Sequence, residues 1–140
     1  MIPDKLIEIY IDGASKGNPG PSGIGVVICQ GTETIRNISS FIGNTTNNIA
    51  EYTALIYGLE EALLLKAQVL KIYSDSQLLC RQLNKVYKVK DPDILELYKR
   101  AVHLIPGFKK VTIDNIPRES NRGADKLANK AVRERLRKGL

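Results

Sequence analysis

Hydrophobic residues alternate with polar ones along several short stretches of the chain, a pattern typical of strands with one buried face. In residues 5–12, Ile7, Ile9 and Ile11 share one face, and polar side chains occupy the other. Comparable apolar, β-rich stretches predict further strands over residues 22–30, 33–41, 69–75 and 109–116. A short turn at residues 30–32 joins the second strand to the third and predicts a hairpin. The glycines and prolines of residues 13–23 predict a loop.

Apolar residues three and four positions apart predict a long helix after the hairpin, because such residues share one helix face. Polar residues at 45–48 supply its N-cap chemistry, and the helix is expected to reach about Lys66. Three further helices are predicted: one from a Ser74 or Asp75 cap to about Asn84, one from Asp91-Pro92 to about Ile105, and one from a Ser120 or Asn121 cap to the basic C-terminus. The order β-β-β-α-β-α-α-β-α predicts an α/β fold with a mixed sheet flanked by helices, and residues 1–140 are expected to form a single domain.

Four acidic residues stand at the predicted ends of strands and starts of helices. They are Asp12 and Asp75, which each end a strand, Glu51, which heads the apolar stripe of the long helix, and Asp125, which opens the last helix. Ligands of α/β proteins usually bind at this rim of the sheet. Carboxylates that meet there repel one another unless cations lie among them, and oxygen ligands suit a hard cation such as Mg²⁺.

Each acid taken alone also has a structural interpretation. Glu51 in the first turn of its helix would complement the helix dipole, and Asp125 would do the same in the last helix. Asp75 would serve as an N-cap. Asp12 has the weakest explanation of this kind, since it shares a strand face with Glu8 and Tyr10. Taken jointly, the four placements favour a ligand site.

The charge of the chain bears on its partner. Lys+Arg 21 against Asp+Glu 15 gives a net charge of +6, with a pI of about 9.4. A basic chain of this size favours a polyanionic partner. A basic protein that also carries an acidic cluster would attract phosphates to metal ions.

Cysteine usage and the N-terminus bear on location. Cys29 and Cys80 lie among apolar neighbours and are expected to be buried thiols in a reducing compartment. Residues 1–5 have neither the basic region nor the apolar core of a signal peptide, and no apolar stretch approaches the length of a membrane span. The sequence therefore predicts a cytoplasmic protein without membrane contact.

Uncharged polar residues flank the predicted acidic site and are candidates for substrate binding. They are Asn18, Thr46, Asn47, Asn48, Ser76 and Gln77. Amides beside a metal site would read sugar hydroxyls and base edges in a shallow minor groove. For Asn18, ordinary turn chemistry is an alternative explanation, because the residue lies in a Gly-Asn-Pro-Gly turn.

Four segments follow one another along nearly the whole chain: Asp12-Gly13-Ala14-Ser15 with Gly17-Asn18-Pro19-Gly20, Asn47-Asn48-Ile49-Ala50-Glu51-Tyr52, Tyr73-Ser74-Asp75-Ser76-Gln77, and Asn121-Arg122-Gly123-Ala124-Asp125-Lys126-Leu127-Ala128-Asn129. In this order they resemble type 1 ribonuclease H. The resemblance implies a ribonuclease H-like fold with a mixed five-stranded sheet, in which antiparallel hairpin strands are followed by parallel ones.

The resemblance also implies an activity. It predicts an endonuclease that uses two Mg²⁺ ions, with Mn²⁺ as a substitute, to cut the RNA strand of RNA–DNA hybrids. Asp12, Glu51, Asp75 and Asp125 carry over as the catalytic, metal-binding acids. Asn18, Asn48 and Gln77 carry over as contacts in the minor groove of the hybrid.

The chain departs from the family pattern in two places. Many relatives have a histidine in the loop before the last helix, whereas residues 114–120 contain none and His103 lies in an earlier helix. Arg118 or Glu119 are the candidates for its place. Some relatives also carry an extra basic helix-loop between the two middle helices, for which residues 84–93 are too short.

Binding of the hybrid would then depend on the basic last helix. Its cationic residues are Lys126, Lys130, Arg133, Arg135, Arg137 and Lys138. Arg133 and Arg137 are four positions apart and share a helix face, whereas Arg135 points elsewhere. A basic face that is merely solvated is the alternative, and residues 85–90 offer a second small basic patch.

Three hypotheses from different classes compete. The first is the hybrid-cleaving nuclease, acting as a monomer and in one variant also on double-stranded RNA. The second is a catalytically silent nucleic-acid-binding module of the same fold, and the third is a structural or protein-interaction domain. The presence of all four acids favours the enzyme over the silent module, and the basic charge counts against the structural domain.

Overall fold

The computed structural model describes residues 3–139 and consists of one five-stranded sheet with helices on both faces. The strands are β1 (Leu6–Ser15), β2 (Gly20–Gln30), β3 (Glu33–Thr45), β4 (Val69–Ser74) and β5 (Lys110–Asn115), and the helices are α1 (Asn47–Leu64), α2 (Gln77–Leu83), α3 (Pro92–Leu104) and α4 (Arg122–Arg137). Short 3₁₀ turns at Ile105–Gly107 and Arg118–Ser120 precede β5 and α4. Residues 1, 2 and 140 of the expected domain lie outside the described residues.

The strand order across the sheet is β3-β2-β1-β4-β5. β1, β2 and β3 pair in antiparallel fashion, whereas β4 and β5 run parallel to β1. The predicted α/β fold with a mixed five-stranded sheet is therefore confirmed. The carboxyl ends of β1 and β4 lie at the same edge of the sheet.

The two faces of the sheet are covered by different helices. The three isoleucines of β1 are fully buried under α1, and a Cβ on Gly58 of this helix would lie 2.7 Å from Cδ1 of Ile9. The opposite face of β2 packs against α4, where a Cβ on Gly23 would lie 2.5 Å from the carbonyl oxygen of Ala128. The sheet thus separates α1 from α4.

The loop predicted for residues 13–23 is shorter than expected, and Asp12 lies inside β1 rather than at its end. Strand pairing continues until Ser15 lies opposite Ser22, and β3 runs on to pair Thr45 with Gly20. The continued ladder supplies hydrogen-bond partners for backbone groups that a loop would have to satisfy otherwise. Only residues 16–19 remain in the turn.

Capping residues start three of the helices. Thr46 caps α1 and Asp91 caps α3, as the sequence predicted. α2 is capped by Ser76 and not by Ser74 or Asp75, because the Ser76 hydroxyl oxygen accepts a hydrogen bond of 3.2 Å from the backbone N–H of Leu79. Asp75 is therefore free of a capping role.

Cys29 and Cys80 are free thiols. Cys80 is buried as predicted, but Cys29 is only partly buried. Among the helices formed by residues 3–139, none combines the length and the apolarity needed to cross a membrane.

Candidate active site

Close packing of β1 on α1 brings the first two acids together. Asp12 lies in β1, and the residue after it, Gly13, touches the backbone of α1: a Cβ there would lie 2.4 Å from the carbonyl carbon of Ala50. The backbone N–H of Gly13 donates a hydrogen bond of 3.2 Å to Oε2 of Glu51. A glycine at this position therefore allows the carboxylates of Asp12 and Glu51 to meet.

The parallel pairing of β1 with β4 adds the third acid. Ile11 lies opposite Ser74, the last residue of β4, so Asp12 and Asp75, which the sequence placed inside the strand, follow side by side. One carboxylate oxygen from each of Asp12, Glu51 and Asp75 lies within 4.8 Å of the other two. The convergence of these three acids, expected from the sequence, is present in the structure.

Asp125 approaches from the opposite face of the sheet. Asp12 pairs with Gly25 of β2, and α4 crosses at this glycine so closely that a Cβ would lie 2.0 Å from the carbonyl oxygen of Ala124. Asp125 follows directly and lines the same open cleft of about 450 Å³ as the other three acids. It lies outside the compact group of three carboxylates, and we call the cleft with its four acids the acidic pocket.

The side chain of Asp125 has two neighbours of its own. The Asn129 side-chain amide donates hydrogen bonds of 3.1 Å to Oδ1 of Asp125 and 2.9 Å to its carbonyl oxygen. The guanidinium of Arg118 lies 3.8 Å from Oδ1 of Asp125 and also lines the acidic pocket. The fourth acid is thus held by polar contacts at the rim.

Burial and mutual repulsion make Asp12, Glu51 and Asp75 hard to ionise together. Burial, followed by the nearby Asp75 carboxylate, raises the pKa of Asp12 to about 8, and the side chain is only 5% exposed. Burial and then Asp12 raise the pKa of Glu51 well above its usual range. Burial also raises the pKa of Asp75, although the Arg118 guanidinium opposes this rise. An oxygen-only cluster with this excess of negative charge fits a hard divalent cation.

The structure excludes two of the three structural roles that the sequence allowed for single acids. Asp75 does not cap α2, and Glu51 lies beyond the first turn of α1, where the structure has no acid. Asp125 does lie in the first turn of α4. The carboxylates of Asp75 and Glu51 are therefore left without the structural roles that the sequence allowed.

The polar candidates near the acidic pocket fall into two groups. Asn18 and Asn47 tie the β1–β2 turn to α1: Oδ1 of Asn18 accepts a 2.9 Å hydrogen bond from the backbone N–H of Asn47, and Oδ1 of Asn47 accepts one of 2.9 Å from that of Ser15. The side chains of Thr46 and Ser76 cap α1 and α2. Asn48 and Gln77 are exposed. Contact of all six residues with a substrate stays a prediction.

Two asparagines near the acids were not predicted as site residues, although Asn121 was expected as a possible cap and lies at the N-cap position of α4. Asn129 lies four positions after Asp125 on one helix, a spacing that places both side chains on one face. Asn121 is buried, and its side-chain amide donates a hydrogen bond of 2.9 Å to the carbonyl oxygen of Ile11. The spacing would have identified Asn129, but the contact of Asn121 joins residues 110 positions apart and has no local signal.

Similarity to known proteins agrees with this geometry. Residues 10–131 match the family model described as reverse transcriptase-like. A ribonuclease H of Chlorobium limicola is 32% identical over 92% of this chain and 97% of its own length. The chain belongs to the ribonuclease H family. A solved structure of LC11-RNase H1 in complex with RNA/DNA hybrid superimposes with a TM-score of 0.89 at 40% identity, covering 93% of this chain and 99% of that one.

Other ribonuclease H relatives are longer than this chain. A bifunctional protein of Mycobacterium tuberculosis is 40% identical over 90% of this chain, which spans 35% of the length of that relative. Many relatives were expected to have a histidine in the loop before α4. In this chain the loop contains none, and Arg118 from this loop lines the acidic pocket. His103 is exposed on α3 and does not line the pocket.

Proposed function

We propose that residues 1–140 form one metal-dependent endonuclease domain that hydrolyses the RNA strand of RNA–DNA hybrids. The observation that carries this proposal is the group of three carboxylates, with oxygens within 4.8 Å of one another, that lines an open cleft. The hybrid held by a solved relative at 40% identity supports the substrate. The net charge of +6 suits a polyanion.

Asp12, Glu51 and Asp75 would hold the cations, with Asp125 completing the site from α4. The ions are expected to be two Mg²⁺, with Mn²⁺ as a substitute, since the donors are all carboxylate oxygens. When bound, such ions supply a nucleophilic water at neutral pH and stabilise charge on phosphate oxygens. The Gly13 N–H orients the Glu51 carboxylate, and Arg118 offers a positive charge at the rim for the substrate phosphate.

The duplex would be recognised through its minor groove. Exposed Asn48 and Gln77 would bond sugar hydroxyls and base edges directly, and 2′-hydroxyls mark RNA. Asn18, Thr46 and Asn48 line a common recess of about 350 Å³ beside the start of α1. Asn47 and Ser76 would contact the hybrid through side-chain donors and lone pairs that are not used in the hydrogen bonds described above. Double-stranded RNA shares the 2′-hydroxyls and is the second substrate to test.

A cleavage assay tests the proposal. End-labelled RNA–DNA hybrid, double-stranded RNA and double-stranded DNA of one sequence are incubated with Mg²⁺, with Mn²⁺, or with a chelator. We expect cleavage of the hybrid within its RNA strand, with both metals and not with the chelator. Hybrid that is bound but stays intact with either metal would instead identify a silent binding module.

The proposal also covers the oligomeric state of the enzyme and its cellular compartment. We expect a monomer in the cytoplasm, where the two free thiols stay reduced. Light scattering of the purified chain across a concentration series measures the oligomeric state. Fractionation of the source cells locates the protein.

A further inference from the structure

A second cleft of about 380 Å³ opens beside the acidic pocket. We call it the basic cleft and define it by the side chains that form its walls. They are Ala14, Ser15, Lys16, Asn129, Val132, Arg133 and Leu136. Ser15 and Asn129 line both clefts, so the two are continuous.

The two clefts differ in charge. The acidic pocket contains four carboxylates, whereas the described residues that line the basic cleft include two cations, Lys16 and Arg133, and no acid. Within residues 3–139 neither cation has an ion-pair partner within 4.0 Å. Lys130, by contrast, lies 4.0 Å from Glu134. The basic cleft therefore presents two uncompensated positive charges.

The helix wall of the basic cleft leads directly from the fourth acid. Asp125, Asn129, Arg133 and Leu136 recur every three to four residues and so share one face of α4. Arg133 lies eight positions after Asp125, which corresponds to about 12 Å along the helix axis. A strand lying at the acids would reach Arg133 within a few nucleotides.

The opposite wall is a fixed turn. Lys16 donates its backbone N–H to the carbonyl oxygen of Pro21 at 2.9 Å, and the same turn is tied to α1 through Asn18 and Asn47. The helix wall also carries the apolar side chains of Val132, which is buried, and Leu136, which is 37% exposed. The basic cleft thus combines two cations with an apolar surface that suits a sugar.

We propose that the basic cleft is a subsite for the cleaved strand. It holds the phosphate of a nucleotide flanking the scissile one between Lys16 and Arg133, with the sugar against Leu136. The assignment to the cleaved strand follows from the continuity of the two clefts through Ser15 and Asn129. This inference rests on the proposed function, because it extends the track of the same substrate.

The test combines protein variants with shortened substrates. Hybrids with one fixed cleavage site are prepared with the cleaved strand shortened one nucleotide at a time from either end, and a second series shortens the DNA strand. The proteins are the wild type, Lys16→Ala, Arg133→Ala and the control Arg100→Ala, which removes an exposed arginine of α3 that lines neither cleft. Melting temperature and kcat at saturating substrate check that each variant is folded and active.

For the wild type and Arg100→Ala, we expect KM to rise several-fold when one particular nucleotide of the cleaved strand is removed. For Lys16→Ala and Arg133→Ala, KM on the full-length hybrid should already be as high as the wild-type KM on the shortened one. Removing that nucleotide should then raise the KM of these variants no further. Their log–log salt slope for binding should be smaller by about one for each lost phosphate contact.

Two results would overturn the subsite. One is a truncation effect that is equally large in Arg133→Ala and the wild type, which would mean that the arginine contributes only diffuse charge. The other is that Lys16→Ala and Arg133→Ala abolish a rise in KM seen on shortening the DNA strand instead of the cleaved strand. That result would assign the basic cleft to the DNA strand. Both presuppose that the wild type cleaves the hybrid; if it does not, the proposed function itself fails, and the subsite fails with it.

Discussion

The acidic pocket and the basic cleft are neighbours that are built in different ways. The acids of the pocket come from β1, α1, the residue directly after β4, and α4, and these elements meet where Gly13 and Gly25 leave no space for a Cβ. The basic cleft needs one face of α4 and one turn, and its cations Lys16 and Arg133 are exposed. The first depends on tertiary packing, the second on long side chains that adjust.

This difference predicts how each region responds to change. A buried charge cluster has a fixed geometry, and the loss of one carboxylate changes the charge and the pKa values of those that remain. Exposed cations act singly and in a high dielectric, so each contributes little and salt screens it. Substitutions in the acidic pocket should therefore abolish turnover, whereas substitutions in the basic cleft should alter binding.

The largest effect is expected for Asp75→Asn. The change keeps the shape of the side chain and removes a charge from the three-carboxylate group, and Ser76 rather than Asp75 caps α2. Hybrid turnover should fall by more than about 100-fold, because loss of mere outer-shell partners of metal ligands costs 10–100-fold. Single-turnover cleavage and the melting temperature measure activity and folding separately.

Asp114→Asn is the matched control for this substitution. Asp114 lies on β5 opposite Tyr73, is exposed, and does not line the acidic pocket. The same change of charge one strand away should leave turnover nearly unaltered. A folded Asp75→Asn protein with the activity of this control would remove Asp75 from the metal site.

A smaller loss is expected for Asp125→Asn. Asp125 lines the acidic pocket but lies outside the compact group of three carboxylates, held by Asn129 and Arg118. Turnover should fall by about 10- to 100-fold, because the substitution leaves the group of three carboxylates in place. Asn129→Ala should act in the same direction and less strongly, since it leaves the carboxylate in place. Equal losses for Asp125→Asn and Asp75→Asn would contradict this ranking.

The two regions also differ in how far the sequence predicts them. The alternation in residues 5–12, the helical stripe after residue 47 and the four acids are local signals, and they predicted both the sheet and the acidic pocket. The length of β1 was missed, because Gly13–Ser15 pairs with β2 despite its turn-like composition. The cap of α2 was assigned to Ser74 or Asp75, one or two residues early, since Ser74, Asp75 and Ser76 all suit an N-cap.

The basic cleft could not be predicted in the same way. Lys16 and Arg133 are far apart in sequence, and each alone resembles an ordinary solvated cation. Only the crossing of α4 over β2 at Gly25 brings the helix beside the turn that carries Lys16. Local patterns establish which elements form, and contacts across the sheet establish which of their side chains meet.

Removal of divalent cations should make stability depend on pH. The pKa of Asp12 rises from 3.8 to about 8 through burial and the nearby Asp75. Between these values the folded protein holds the proton more tightly than the unfolded chain does, so its stabilisation is complete below about pH 4 and is lost as the pH rises through about 8. In chelator, the melting temperature should therefore fall by several degrees from about pH 6 to about pH 8.5.

Two comparisons isolate this effect. Asp12→Asn is neutral at every pH and should show a shallower fall in chelator than the wild type. Saturating Mg²⁺ should raise the melting temperature of the wild type most at high pH, because cations bind the deprotonated carboxylates. Parallel curves for wild type and variant in chelator would show that Asp12 does not titrate in this range.

The smallest effect is expected for Arg135→Ala, which lies on the same basic helix but outside the basic cleft. The guanidinium of Arg135 lies over the ring of Phe41, 5.1 Å from its centroid, and so connects α4 to β3. Loss of an exposed cation–π contact should lower the free energy of unfolding by about 0.5–1 kcal/mol. The salt slope of hybrid binding should stay that of the wild type, because this charge faces a protein side chain and not the substrate. Arg133→Ala, by contrast, should reduce the slope.

Chemical denaturation measures the free energy of unfolding, and binding at several salt concentrations measures the salt slope. A slope that falls equally in both variants would mean that the whole helix attracts the hybrid by its net charge, and the distinction between a specific basic cleft and a solvated basic surface would be lost.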